Sequence, residues 1–378
     1  MLWNNELLLD RLIASLTVRR TINLIKTGSS FLLSALLGKN ILWGRPPILT
    51  IEPTNLCNLK CPLCTTGNGE MERSRGHMGL DTFRNILEQL GDDIFFLLLY
   101  HQGEPYLNKH FLDFVRLAKQ KKIYCTTSTN GHYFDEDTIA ATIESGLDSM
   151  IVSIDGVTQE SYQKYRVKGT LDKVVQGSRK FMEMKRRLKS RTPLIAWQFL
   201  VMRHNEHEIP AIKRLAKQVG VDRLLLKNIE VRSEQEALEW LPQNTKYRRY
   251  EFDGQHLKVK NSDKKSCPRP WLSTLINWDG GVVPCCFDKN GVYLMGNVNR
   301  TQDFDRIWRG EAFERFRTRL ASDRKSIDMC RNCNQGLGSF IPQFSLRFGK
   351  QPTKRAAVQE SALRENLPEK ASSTLSGK

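Results

Sequence analysis

The sequence predicts an α/β fold: a partial (β/α)6 barrel followed by a small, cysteine-rich C-terminal domain. Two observations lead to this prediction. Between residues 47 and 235, short apolar runs typical of strands alternate six times with amphipathic runs typical of helices, which indicates a parallel sheet with right-handed crossovers. After residue 235 the alternation stops, and five of the nine cysteines lie between residues 267 and 333. Six units fit either an open partial barrel or a doubly wound sheet, and both folds bind ligands at the carboxyl ends of the strands.

The predicted elements follow one another at the short spacing of β–α units. Residues 94–100 form a continuous apolar run, as expected for a strand that is buried on both faces. A helix begins at Asp81, a residue type that caps helix N-termini, and ends near Gly91. The predicted strands cover residues 48–53, 94–100, 123–129, 149–154, 194–201 and 223–228. The predicted helices cover residues 81–91, 111–120, 135–146, 171–189 and 209–219.

The composition divides the chain into four parts. Residues 1–46 are predicted to form an N-terminal helical segment and residues 47–235 the core. Residues 236–345 are predicted to form a small domain that bound metal holds together, and residues 346–378 a disordered basic tail with few large apolar residues. The net charge of +17 indicates either a solvated basic surface or an anionic partner, such as a membrane face or a phosphorylated substrate. The sequence has no aromatic RNP pair and no zinc-finger spacing, so no nucleic acid partner is expected.

The N-terminal segment combines leucine and isoleucine near helical spacing with Arg11, Arg19, Arg20 and Lys26. Two interpretations remain open: a pair of helices packed on the main body, or a basic amphipathic surface that touches a membrane or an amphipathic substrate. No apolar run reaches the roughly 18 residues of a membrane span, and the N-terminus lacks the pattern of a secretory signal. The predicted location is the cytoplasm, with this segment as a candidate peripheral contact to a membrane.

Three cysteines, Cys57, Cys61 and Cys64, follow the first predicted strand directly. Clustered cysteines in a chain without an expected signal peptide indicate metal rather than disulfides. Three thiolates can each bind one iron of a [4Fe–4S] cubane, which leaves one iron open to a small chelating molecule. A structural zinc site is the alternative for these three cysteines taken alone. The Cys-x3-Cys-x2-Cys run resembles that of the radical S-adenosylmethionine (radical SAM) superfamily.

In that superfamily the open iron binds S-adenosylmethionine (SAM), and reductive cleavage of SAM gives a 5′-deoxyadenosyl radical that takes hydrogen from a substrate. The resemblance implies a reducing electron donor such as flavodoxin or ferredoxin. It continues after strands two, three and four with Gln-Gly-Glu-Pro, Thr-Asn-Gly and Ser-Ile-Asp-Gly, each of which alone also fits an ordinary turn. Gln102 stands where the family has its first glycine. The resemblance assigns SAM binding to Gly103, Glu104, Asn130, Ser153, Asp155, Arg166 and Leu63.

These residues have different implied roles. Glu104 is suited to pair with the amino group of SAM, and Arg166 is suited to clamp its carboxylate with two hydrogen bonds. The elements at Asn130 and at residues 153–156 line the ribose and the carboxylate in the family. Leu63 stands where a bulky side chain packs beside the adenine.

A second cysteine group lies near the C-terminus. One cysteine, a Gly-x4-Cys run and a Cys-x2-Cys pair resemble the first part of the SPASM domain that follows many radical SAM cores. No cysteine follows Cys333, so the resemblance implies a shortened, twitch-like domain with one auxiliary [4Fe–4S] cluster. Cys286 is the alternative to Cys285, and a zinc ribbon is the alternative to a cluster. The implied ligands are Cys267, Cys285, Cys330 and Cys333.

Three functions remain open from the sequence. In the first, the radical takes hydrogen from a carbinol carbon, a base takes a proton, and the auxiliary cluster accepts the remaining electron, so that an alcohol becomes a ketone. In the second, similar machinery modifies a peptide or protein, and in the third a non-catalytic metal-binding protein binds an acidic partner. The sequence does not show the substrate, and a sugar, an aminocyclitol, a lipid-linked molecule and a peptide all remain open. His101, Lys227 and Gln198 are candidates to face it, whereas Cys125 is predicted to be an inert core thiol.

Overall fold

The computed structural model describes residues 6–254, 256–260, 266–301, 303–331, 333–334 and 344–347. The strands within these ranges are β1 Ile48–Ile51, β2 Phe96–Leu98, β3 Tyr124–Thr129, β4 Ser149–Ser153, β5 Leu194–Val201, β6 Arg223–Asn228, β7 Tyr250–Asp253, β8 His256–Val259, β9 Ser273–Ile276, β10 Gly281–Val283, β11 Gly296–Asn297 and β12 Phe344–Arg347. The α-helices are α1 Glu6–Ala14, α2 Val18–Leu37, α3 Leu80–Leu90, α4 Phe111–Gln120, α5 Glu136–Glu144, α6 Gln159–Tyr165, α7 Leu171–Arg187, α8 Ile209–Val219, α9 Glu234–Trp240, α10 Arg269–Leu272, α11 Phe304–Trp308, α12 Glu311–Ser322 and α13 Asp328–Arg331.

Strands β1 to β6 pair side by side in sequence order, and every pairing among them is parallel. At least one helix lies between each strand and the next, so the predicted partial (β/α)6 barrel is confirmed. The first two strands are shorter than the apolar runs that predicted them. Helix α3 has Gly79 at its N-cap without a side-chain hydrogen bond, and Asp81 instead lies in its first turn, where a carboxylate still favours the helix dipole.

The C-terminal cysteine segment extends the same sheet. Strand β9 pairs in parallel with β1, and the antiparallel strands β10 and β11 continue that edge. At the other edge, β12 pairs antiparallel with β6, so that the sheet has ten strands within the described ranges. The boundary predicted at residue 346 for a disordered tail therefore falls inside a paired strand, and residues 348–378 lie outside the described residues.

The two faces of the sheet have different surroundings. Leu49 and Leu97 are fully buried in one large apolar cluster with Phe83 of α3 and Phe114 of α4, whose rings stack with centroids 4.3 Å apart. Because successive side chains of a strand point to opposite faces, their sequence neighbours point the other way. Those neighbours, which include Thr50, line a cavity described below.

The N-terminal segment forms two helices that contact the body of the protein. Thr17 lies in the short connection between α1 and α2 and is the N-cap of α2. Its hydroxyl accepts a hydrogen bond from the Arg20 N–H at 3.3 Å. The apolar piece predicted at residues 31–37 is the last part of α2 rather than a separate helix. Among the described residues, no helix is both long and apolar enough to cross a membrane.

Candidate active site

The three N-terminal cysteines lie on the loop after β1, at the carboxyl end of the sheet. This loop is held closely: the Lys60 N–H donates to the Val167 carbonyl at 3.0 Å. Gly67 packs against the same loop, and a Cβ at this position would lie 2.5 Å from the Cys61 nitrogen. Cys61 is buried, whereas the other two thiols are half-buried. The loop is therefore fixed in place with one side of its thiols accessible.

The surroundings of these thiols suit a metal cluster. Burial raises the pKa of Cys57 to about 12 and also raises the pKa of Cys61, against the charge of Arg166. Such thiols lose their protons when a metal binds, because a coordinating thiolate is stabilised by the metal charge. Among the described residues, no three His, Cys, Asp or Glu side chains are grouped to hold a single metal ion. A cubane takes one thiolate on each iron, and the donor set of this loop fits such a cluster.

The Gln-Gly-Glu-Pro turn after β2 brings a carboxylate beside the cysteine loop. Gly103 has a φ of +77°, and a Cβ there would lie 2.5 Å from the Thr54 carbonyl oxygen, so only glycine fits. The buried Glu104 carboxylate accepts hydrogen bonds from the Asn130 N–H at 2.7 Å and from the Thr129 hydroxyl at 2.8 Å. Burial raises the pKa of Glu104 to about 7, although these hydrogen bonds oppose the shift.

Two amide side chains approach the cysteines. The Asn130 Nδ2 lies 3.9 Å from the Cys57 sulfur. Gln102, the residue that departs from the family pattern, accepts a hydrogen bond from the Thr66 hydroxyl at 3.1 Å and lies 3.9 Å from the Cys64 sulfur. Gln102, which stands at the position of the first glycine in the family's Gly-Gly-Glu-Pro element, thus contacts the cysteine loop.

Asp155 and Arg166 form a buried pair next to the same loop. The Arg166 Nε donates to the Asp155 carboxylate at 2.5 Å, and its Nη1 lies 3.6 Å from the Cys61 sulfur. The other Asp155 oxygen accepts from the Leu200 N–H at 2.7 Å. The Nε of Arg166 therefore has a carboxylate partner within the chain, and its Nη1 points at a cluster thiol.

Of the last two residues assigned to SAM, one packs beside the cysteines and the other lies at the end of a neighbouring strand. Leu63 is half-buried in an apolar cluster that also contains Cys61 and Tyr165. Ser153 is buried at the end of β4 and is in register with Gln198 of β5. The structure thus brings Glu104, Asn130, Asp155, Arg166 and Leu63 around the three cysteines, with Ser153 at the end of the neighbouring strand.

A cavity of about 910 Å³ lies against the inner face of the sheet. Leu12, Ile48 and Phe96 line the part near the amino ends of β1 and β2, which is apolar. The part near the carboxyl ends is polar and basic. It is lined by His101, Gln102, Lys227, Glu230, Arg249, Arg269 and Lys289. Gln198, which the sequence offered as a substrate-facing candidate, is not among the described residues that line this cavity.

Two cavity residues have nitrogen atoms available for a ligand. The His101 Nε2 is buried without a hydrogen-bond partner, and burial lowers the pKa of this histidine to about 3, so that it is neutral. Burial also lowers the pKa of Lys227. No hydrogen bond or ion pair joins the Lys227 ammonium to the described part of the chain. A half-buried, desolvated lysine of this kind is suited to general-base chemistry.

The C-terminal cysteines converge at the far side of the cavity. Cys267 and Cys330 belong to one apolar cluster with Trp271. Burial raises the pKa of Cys330 to about 12, and the nearby Cys267 and Cys333 add to this shift. Arg324 donates to the Cys333 carbonyl at 3.0 Å and holds this end of the chain. Cys267, Cys330 and Cys333, three of the four predicted auxiliary ligands, thus lie close enough for their charges to interact.

The structure distinguishes between the two adjacent cysteines. Arg269 donates to the Cys286 sulfur at 3.3 Å, and Cys286 lines the cavity. A hydrogen bond with Cys285 and the charge of Arg269 lower the pKa of Cys286 to about 6. Cys285 is not among the described residues that line the cavity. Cys285 stays the predicted cluster ligand, with Cys286 as its alternative.

Sequence reasoning missed several cavity residues, namely Glu230, Arg249, Arg269 and Lys289. Arg269 had a local signal, because it lies two residues after Cys267 in a Cys-Pro-Arg-Pro-Trp run. Lys289 follows β10, whose position depends on how β9 joins β1, and a single sequence does not reveal that pairing. Glu230 and Arg249 lie on the connection between β6 and β7.

Comparison with known proteins decides between the zinc and the cluster interpretations. The model of the radical SAM superfamily matches residues 51–216, and the model of the SPASM iron–sulfur cluster-binding domain matches residues 267–334. The chain carries a radical SAM domain followed by a SPASM domain. The predicted cofactors of this radical SAM protein, a [4Fe–4S] cluster, SAM and auxiliary iron–sulfur, are thereby confirmed.

Similar proteins differ in what they do. The tungsten-containing aldehyde ferredoxin oxidoreductase cofactor-modifying protein of Pyrococcus furiosus is 24% identical over 301 residues, which cover 71% of this chain and 82% of that protein. The S-adenosyl-L-methionine-dependent 2-deoxy-scyllo-inosamine dehydrogenase of Niallia circulans is 22% identical over 292 residues, which cover 76% and 92%. Streptococcus suis SuiB bound to precursor peptide SuiA shares the fold with a TM-score of 0.54, at 16% identity over 76% of this chain and 70% of that one.

We expect Glu104→Gln to lower the affinity of the reconstituted protein for SAM by about tenfold or more, because a charge-assisted hydrogen bond contributes roughly 1.5–3 kcal/mol. Equilibrium binding of SAM at matched iron content measures the loss. The carboxyl is protonated below its pKa of about 7, so wild-type affinity should fall as the pH drops through this value and the variant should lose that dependence. Glu208→Gln is the matched control, because Glu208 is also buried and accepts a backbone hydrogen bond, at 3.1 Å from Val157. Equal SAM affinity in the Glu104 variant and the control would refute the assigned role.

Proposed function

We propose that this radical SAM protein oxidises an alcohol to a ketone. When bound, SAM and the cluster at Cys57, Cys61 and Cys64 supply a 5′-deoxyadenosyl radical, and the auxiliary cluster supplies an electron acceptor. Radical SAM enzymes need a reductant and a substrate. The donor we propose is a flavodoxin or ferredoxin.

The observation that carries this proposal is a single cavity whose wall residues contact both cysteine groups. Gln102 lines it on one side and contacts the Cys64 loop, while Arg269 and Cys286 line it on the other side. A substrate held there would be next to the source of the radical and next to an electron acceptor. Oxidation requires both, whereas a reversible isomerisation requires only the first.

Lys227 is the base that we propose for this reaction. The substrate carbinol carbon loses a hydrogen atom, its hydroxyl loses a proton to the neutral Lys227 amine, and the remaining electron leaves the substrate, so that a C=O bond forms. The lowered pKa of Lys227 favours the neutral amine that such a base needs. The uncharged His101 is suited to accept a hydrogen bond from the same or a neighbouring hydroxyl.

The cavity also bears on the class of substrate. Its volume of about 910 Å³ falls within the range of small-molecule sites, roughly 300–1,000 Å³. One end is apolar and the other is polar and basic, which favours a lipid-linked molecule with a hydroxylated, anionic head over a free sugar. Modification of a peptide is the second candidate, because SuiB, which shares the fold, is bound to a precursor peptide.

Deuterium transfer tests the reaction class. Candidate alcohols that carry deuterium on the carbinol carbon, and candidate peptides labelled at Cα or Cβ, are incubated anaerobically with reduced protein and SAM. Deuterium in 5′-deoxyadenosine together with a ketone product, found with alcohols only, is the expected result. Deuterium transfer from a peptide with a modified peptide product would overturn the proposal in favour of a maturase.

We expect Lys227→Met to lower the rate of ketone formation by about 100-fold or more, the usual contribution of a general base, while 5′-deoxyadenosine still forms. Methionine keeps the volume and the apolar stem of lysine but cannot take a proton. Lys217→Met on the exposed face of α8 is the control and should behave as wild type. Product formation at the wild-type rate in the Lys227 variant would exclude this lysine as the base.

A further inference from the structure

Helix α2 has its polar and apolar faces reversed relative to a usual surface helix. The side chains that it buries against the body are mostly polar. They are Arg20, Asn23, Thr27, Ser30 and Ser34, together with Phe31. Its large apolar side chains are exposed instead, including Val18 at 79%, Ile25 at 63% and Leu36 at 80%. Of the sixteen exposed large apolar side chains among the described residues, ten lie between Leu9 and Trp43. Apolar surface concentrated in this way marks an interaction site.

The exposed orientation is fixed by specific hydrogen bonds. The buried Arg20 guanidinium donates to four carbonyl groups, among them that of Lys121 at 2.6 Å and that of Gly91 at 2.8 Å. Asn23 donates to the Arg45 carbonyl at 3.0 Å and accepts from its N–H at 2.9 Å. Rotating the apolar face of α2 inward would leave these buried groups without partners, which is costly. The apolar face therefore stays at the surface.

A basic groove of about 580 Å³ borders this apolar face. Val18, Ile22 and Trp43 form its apolar wall, and Arg19, Lys26, Arg45 and Arg309 line it with Asp93 as the one acidic residue. Arg19 and Arg45 both pair with Asp93, at 2.8 and 3.0 Å. The Lys26 ammonium has no hydrogen bond or ion pair within the described part of the chain. Asp92 also pairs with Arg19, and Asp305 pairs with both Arg45 and Arg309, so the groove keeps a small net positive charge, that of Lys26, beside exposed apolar side chains.

We propose that the exposed face of α1 and α2 lies in the interface of an anionic membrane, with lipid headgroups in the basic groove. The apolar stripe, the flanking cations and a half-exposed tryptophan at the rim are the features of an interfacial helix. A symmetric dimer through the same face would bring two copies of the basic groove together, and the like charges would repel. The bilayer surface matches both the apolar and the charged part of this face.

Co-sedimentation of the full chain with lipid vesicles tests this proposal. Vesicles of phosphatidylcholine alone are compared with vesicles that also contain phosphatidylglycerol. Wild-type protein should bind the anionic vesicles, and added salt should weaken the binding because it screens the basic groove. The triple variant Ile22→Glu, Ile25→Glu, Leu36→Glu should bind on the order of 100-fold more weakly, because three side chains lose their apolar contact with the bilayer.

Matched controls separate a lost surface from a lost fold. The variant Leu238→Glu, Val292→Glu, Leu294→Glu places the same three charges on side chains that are 63%, 75% and 56% exposed elsewhere, and it should bind like wild type. Lys26→Glu should reduce binding to anionic vesicles only. Circular dichroism and the melting temperature should be unchanged in all variants, since every substituted side chain is exposed. Failure of the wild type to bind vesicles, equal binding by the triple variant, or a dimer that the triple variant dissociates without any vesicle binding would overturn the proposal.

Discussion

Replacing Cys57, Cys61 and Cys64 together by alanine should abolish 5′-deoxyadenosine formation and remove about half of the visible iron–sulfur absorbance. One of two cubanes is lost, and with it the site for SAM. The cysteine loop itself should keep its shape, because its Lys60–Val167 hydrogen bond and the packing at Gly67 involve the backbone. Iron content and absorbance after anaerobic reconstitution, followed by product analysis under dithionite, measure both effects.

Cys125→Ala is the matched control for this triple variant. Cys125 is fully buried in the main apolar cluster, far in sequence from both cysteine groups, and its thiol donates a hydrogen bond to the Ile123 carbonyl, at 3.6 Å. It should keep full absorbance and full 5′-deoxyadenosine formation and lose only some stability, since a small cavity remains. Retention of 5′-deoxyadenosine formation in the triple variant would contradict the assignment of the catalytic cluster.

Replacing Cys267, Cys330 and Cys333 together by alanine should have the opposite signature. We expect loss of the other half of the absorbance, loss of the ketone product, and continued 5′-deoxyadenosine formation at the intact first cluster. The electron from the substrate then has no acceptor within the chain, so SAM cleavage becomes uncoupled from oxidation. Formation of ketone at the wild-type rate without the auxiliary cluster would exclude its role as the acceptor.

The adjacent cysteines provide an internal control for this second prediction. Cys285→Ala should lose the auxiliary cluster, as the triple variant does. Cys286→Ala should keep it, because the Cys286 sulfur contacts Arg269 at the cavity wall. Equal loss of iron in both single variants would mean that the two thiols exchange as ligands.

The parts of the fold that the sequence predicts well are those set by local pattern. Strands β5 and β6 and helices α4 and α8 have the predicted bounds, because turn residues flank each short periodic run. The cysteine loop was identified from its thiol spacing, and the Glu104 turn and Arg166 from the resemblance to the radical SAM superfamily. Their proximity was expected because the ends of successive strands in a parallel sheet meet at one edge.

The parts that the sequence could not predict depend on partners far along the chain. The pairing of β9 with β1 joins residues more than two hundred positions apart and determines which side chains line the cavity. The periodicity of residues 18–37 predicts a helix, but not that Arg20 would be its buried face. That outcome depends on carbonyl groups at Gly91 and Lys121, whose position follows from the packing of the whole β2 region.

Anaerobic reconstitution of the wild-type protein, followed by reduction with dithionite in the presence of SAM, tests the central claim most directly. We predict about eight iron atoms per chain, as two cubanes require, and formation of 5′-deoxyadenosine. A colourless, zinc-replete protein that forms no 5′-deoxyadenosine would contradict the account.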